Sequence, residues 1–157
     1  MREAIEKVIK DFNLDRSKIY EVSRLKYLDI IKKIEKIFIK NGGILHWANI
    51  ENRFNPSFSL KTQYIGSNRS WYQALAKIIP NTLHYVLFED VVNSHTKYWV
   101  YEMFPHEIIT VIDESVPSPD DFYIVSKKFE WLISECHEEI VYFVGDKIDI
   151  SLIEKKI

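Results

Sequence analysis

The strongest limit on the fold is residues 83–145, where five short apolar runs (83–88, 98–103, 108–112, 122–125 and 140–144) alternate with turn-like punctuation. Runs this short, bounded by Asn, Asp, Ser, Pro and Gly, read as strands. The links at Asn93-Ser94-His95 and Phe104-Pro105-His106 are too short for a parallel crossover, so the strands form an antiparallel meander. Neither 83–88 nor 140–144 alternates cleanly with polar residues, which predicts a sheet covered on both faces.

The segments before the sheet have helical periodicity. Ala4, Ile5, Val8, Ile9 and Phe12 share one stripe, and Ile19, Val22, Leu25, Leu28, Ile31, Ile34 and Phe38 repeat at helical spacing until Asn41-Gly42-Gly43 stops them. Residues 44–70 read as irregular cover. Ser67 or Asn68 is placed to cap a short helix with Trp71, Leu75, Ile78 and Ile79 inward, ended by Pro80. Ser126 similarly predicts a helix over 127–137 with Phe129, Leu132 and Ile133 inward, and the period-two Ile148, Ile150 and Leu152 predict a terminal edge strand. The fold class is therefore α+β: N-terminal helices on a mainly antiparallel sheet of about five strands, with a late helix between the last strands. One domain over 1–157 is expected, helical in 1–41, irregular in 44–70 and sheet-rich in 82–145. Its core should hold Leu28, Ile31, Phe38, Trp71, Leu75, Tyr85, Leu87, Trp99, Val111, Ile124, Trp131, Leu132 and Val141, within an aromatic-rich chain of four Trp, nine Tyr and nine Phe.

Cys136 is the sole cysteine, and the start Met-Arg-Glu-Ala-Ile-Glu-Lys lacks the apolar stretch of a secretory signal. Both point to a reducing cytoplasm. No apolar run approaches the roughly 20 residues that span a bilayer, so no membrane helix is expected. Four glycines, none in a Gly-rich loop, exclude a P-loop or Rossmann nucleotide site. Histidines at 46, 84, 95, 106 and 137 lack metal-ligand spacing, so neither metal nor cofactor is expected. Cys136 and His137, as helix neighbours, would point about 100° apart and make a poor dyad. Lys26, Lys32, Lys33, Lys36 and Lys40 read as a solvated helix face, without the Arg-rich or Gly-rich motifs of nucleic-acid binding.

The net charge of −2 hides an asymmetry. Residues 1–77 carry 15 basic against 8 acidic side chains, whereas 102–146 carry 2 against 11. Asp113, Glu114, Asp120 and Asp121 flank an acidic, proline-containing loop, and Glu135, Glu138 and Glu139 crowd the end of the expected 127–137 helix, where the dipole disfavours anions. These seven acids form the candidate surface for a basic protein partner, with Phe122 or Tyr123 as anchors. The alternative is a small hydrolase with His95, His106 or His137 beside a carboxylate at one end of the sheet.

Around Asp121-Phe-Tyr-Ile-Val-Ser-Lys-Lys-Phe-Glu-Trp-Leu-Ile and His137, the chain resembles a group of small uncharacterised bacterial α+β proteins, some similar to toxin-immunity proteins. The resemblance covers the last third of the chain. It contains no motif of assigned chemistry and transfers no functional residue.

Overall fold

The computed structural model describes residues 1–66 and 69–154. Among them one antiparallel sheet of seven strands runs in the order β1-β4-β3-β5-β6-β7-β2. The strands are β1 (Ile19–Glu21), β2 (Leu60–Tyr64), β3 (His84–Val92), β4 (His95–Met103), β5 (Phe122–Val125), β6 (Leu132–Cys136) and β7 (Ile140–Val144). Strand alternation divides the core. Val86, Phe88, Phe122, Ile124, Ile133, Val141 and Phe143 face α1 (Arg2–Asp11), a 3-10 turn (Trp71–Ala74) leading into α4 (Leu75–Ile78), α5 (Pro105–Glu114) and α6 (Ser151–Glu154). Leu87, Tyr123, Val125, Leu132, Tyr142 and Val144 face α2 (Arg24–Phe38) and α3 (Trp47–Arg53). Helices thus cover both faces, as the non-alternating strands require.

The β3–β4 turn forms where expected, with Asn93 and Ser94 at φ 51° and 63°, the left-handed pair of a two-residue turn that follows the strand twist. Asn41 and Gly42, at φ 56° and 68°, likewise turn the chain just beyond α2.

The sheet has seven strands where about five were expected, and further expectations are corrected. Residues 108–112 are not a strand but the middle of α5, in which Pro105 occupies the first turn and Ile108, Val111 and Ile112 repeat at i, i+3 and i+4. Residues 127–137 are not a helix. Ser126 Oγ accepts from the Lys128 and Glu130 amides within a tight turn, Phe129 takes φ 56°, and the chain returns as β6 in register with β5. Leu132 and Cys136 pack toward α2 and α3 while Ile133 packs on the other face, an alternation that five all-buried residues hide from periodicity. The 19–38 helix begins at Arg24, after β1, where Ser23 caps it by accepting from the Leu25 amide at 3.4 Å. With that start, Ile34 and Phe38 face the sheet and Leu28 points outward, 52% exposed.

Residues 44–66, expected to be irregular as part of 44–70, are organised, contributing α3 and the edge strand β2. Among the described residues of the tail, 147–154, there is no edge strand, because β1 and β2 occupy both edges; Ile148, Ile150 and Ile153 instead pack with the core that contains Trp71. The last strand, β7, is antiparallel and interior, between β6 and β2. The expected Ser67 or Asn68 cap lies outside the described residues. Of the other expected core residues, Ile31, Tyr85 and Trp99 are half-buried and the remainder are buried.

Candidate functional site

The functional reading centres on the end of the sheet where β3 runs out through Glu89, β5 begins after Asp121, and β6 turns into β7 over His137, Glu138 and Glu139. Antiparallel register brings these termini together: the Glu89 amide donates to the Asp121 carbonyl at 3.0 Å, and Phe122 lies opposite both Phe88 and Glu135. The expected helix dipole is absent here, so Glu135, Glu138 and Glu139 are not crowded at a helix end. They are gathered by a hairpin, in which Glu139 takes φ 59°.

Glu135 leaves the proposed surface, since it is only 3% exposed. Its carboxylate accepts from Arg69 Nε and Trp71 Nε1. Arg69 also donates to Ser118 Oγ at 2.5 Å and to the Pro119 carbonyl, so one guanidinium ties β6 to the loop before β5. Burial raises the Glu135 carboxyl pKa, and the bonds from Trp71 and Arg69 only partly counter it.

Asp121 holds His137 by accepting from Nδ1 at 3.0 Å and from the backbone amide at 3.2 Å. This carboxylate raises the His137 pKa, while His137 Nε2 lies 3.6 Å from Glu138. Trp47 meets the His137 ring edge-on with centroids 5.7 Å apart. Glu89 stands behind them, and burial first, then the charge of Asp121, raises its carboxyl above the ordinary range. A cleft of about 310 Å³ opens between Gly66, Arg69, Asp120, His137 and Glu139, next to a shallower one of about 280 Å³ bordered by Glu89, Asp120 and Asp121.

The structure therefore groups Asp120, Asp121, Glu138 and Glu139 at one sheet end. Asp113 instead accepts from Tyr72 Oη at 2.6 Å and Gln73 Nε2 at 2.8 Å, while Glu114 is exposed at the end of α5. The expected anchors are corrected: Phe122 and Tyr123 are fully buried, whereas Tyr64 is 67% exposed and donates its hydroxyl to Glu139 at 3.0 Å. His95 and His106 are exposed, with neither joined to a carboxylate among the described residues. Cys136 is buried, and burial raises its thiol pKa, as fits a packing residue. Glu89, Arg69 and Trp47 were missed by sequence reasoning. Arg69 and Glu135 are 66 residues apart, and no local spacing signals their pairing.

Among the described residues no three His, Cys, Asp or Glu side chains converge as metal ligands, and no helix is long and apolar enough to cross a membrane. The chain is thus an α+β protein with an open antiparallel sheet and an acidic end. It belongs to a family of unknown function, DUF6756, whose model matches residues 1–156. No curated protein and no solved structure matches it significantly.

Proposed function

We propose that this chain is a non-enzymatic protein-binding protein of the immunity type, acting in the cytoplasm, that presents the acidic end of its sheet to a basic partner. The observation that carries the reading is the convergence of Glu89, Asp120, Asp121, Glu138 and Glu139 on strand ends, where Arg69 and His137 are the side-chain cations in ion pairs with neighbouring acids among the described residues. Such a field chiefly accelerates association, to about 10⁸–10⁹ M⁻¹s⁻¹ at low salt, and leaves affinity to anchoring contacts such as Tyr64 and Trp47.

The test is affinity capture from the native host at low and moderate salt, using the wild type and the triple variant Asp120→Asn, Glu138→Gln, Glu139→Gln. Salt-sensitive partners lost by the variant support the reading; the same partners held by both proteins at both salts refute it. Glu135 is omitted because its substitution would disturb the buried Arg69 pair.

A hydrolytic reading has one observation in its favour, the Asp121 carboxylate on His137 Nδ1, the arrangement that orients an imidazole base. Turnover of chromogenic esters or phosphomonoesters by the wild type, abolished in His137→Gln, would favour it over binding.

A further inference from the structure

The two edges of the sheet differ. At β1 the Lys18 carbonyl accepts from Phe104 and the Val22 amide donates to Val100, so the backbone groups of Ile19 and Glu21 face away from β4. That edge spans three residues and is covered, with Ile19 fully buried and Glu21 paired to Arg2. At β2 the Ile65 amide donates to the Glu139 carbonyl at 2.8 Å, and the Gly145 amide to the Ser59 carbonyl at 2.9 Å. Antiparallel alternation then directs the backbone groups of Lys61 and Gln63 to β7 and those of Leu60, Thr62 and Tyr64 outward. No described residue bonds to these outward groups. The strand contains no proline, Thr62 is exposed and Tyr64 is 67% exposed, and of the usual protections of an edge only a single charged side chain, Lys61, is present.

The flank of this edge is acidic. Tyr64 bonds Glu139. Glu51 and Glu138 both lie near enough to Tyr142, the cross-strand partner of Thr62, to act electrostatically on its hydroxyl. Lys61 is the one charged residue of β2, and strand alternation sends it to the opposite face.

We infer that β2 is an acceptor edge on which an extended, basic segment of the partner adds as an eighth strand, its backbone bonding Leu60, Thr62 and Tyr64 and its cations meeting Glu51, Glu138 and Glu139. The inference rests on the binding reading above and gives it a geometry. Main-chain bonds supply affinity in this mode, and the side chains on the acidic flank supply selectivity.

The test uses a capped Lys-Val-Lys-Val-Lys-Val-Lys peptide, its Glu-Val counterpart, and a Lys-Val twin N-methylated at alternate residues, which keeps its charge and loses one edge of donors. NMR of the whole chain should show saturable shifts at the Leu60, Thr62 and Tyr64 amides, with hydrogen exchange there slowed at least tenfold by the Lys-Val peptide alone. Thr62→Pro removes an outward amide without touching the β7 ladder and should weaken binding at least tenfold. Charge-dependent binding that leaves those amides unprotected, or equal binding of the N-methylated twin, overturns the edge inference while sparing the acidic-face reading. Equal protection by the Glu-Val peptide overturns the basic occupant of the edge and the acidic-face reading with it. Concentration-dependent protection without peptide, with a dimer in sedimentation, overturns the basic occupant in favour of a second copy.

Discussion

The two ends of the sheet handle charge in opposite ways. At the end where β5 turns into β6, two acids meet lysines: Lys127 holds Glu102 and Lys147 holds Glu130, both at 2.6 Å. His84 there is 3% exposed and donates Nε2–H to the Pro80 carbonyl at 2.8 Å, and its ring lies 5.1 Å from that of Trp131. Burial lowers its pKa. At the other end His137 is exposed and its pKa is raised by Asp121, while Asp120 and Glu139 have no lysine within salt-bridge reach among the described residues. The first end is built to be neutral and packed, the second to remain charged toward solvent. A cleft of about 410 Å³, larger than either at the acidic end, lies at the neutral end, so volume alone would misplace the site.

The sharpest break in this contrast is Trp131→Ala at the packed end, expected to destabilise by about 3–5 kcal/mol, read as the shift in urea midpoint at unchanged slope. At the acidic end Glu135→Ala should cost about 3 kcal/mol, because it strands Arg69 and the Trp71 N–H. Removing both charges with Glu135→Leu and Arg69→Met should cost less than the single change, which a double-mutant cycle measures. The surface triple variant Asp120→Asn, Glu138→Gln, Glu139→Gln should move stability by no more than about 0.5 kcal/mol while reducing salt-sensitive capture, separating charge for binding from charge for folding.

The smallest effects are those of pH, and the two histidines oppose each other. His84, with its folded pKa below the unfolded 6.5, contributes stability present above pH 6.5 and lost as pH falls toward its folded value. His137, raised above 6.5, contributes stability complete below 6.5 and lost as pH rises through its folded value; exposure limits this to about 0.5 kcal/mol. Ring-resonance titration by NMR should place His84 below and His137 above the unperturbed value.

The sequence by itself determined what is local or periodic. The α1 stripe, the Asn93-Ser94 turn, the stop after α2, an aromatic core and an antiparallel sheet covered on both faces were all legible because each depends on neighbouring residues or on a repeat of 2 or 3.6. The acidic bias of 102–146 was legible too, and four of its residues meet at one sheet end. Tertiary structure alone decided between helix and strand for 108–112 and 127–137, where short apolar runs fit either period and only the packing partner chooses. It also decided that Glu135 is a buried partner of Arg69 rather than a surface acid, that Glu89 joins Asp121 and His137, and that β2 ends the sheet with outward backbone groups. These features join residues tens of positions apart, and the contacts that define them exist only once the strands are in register.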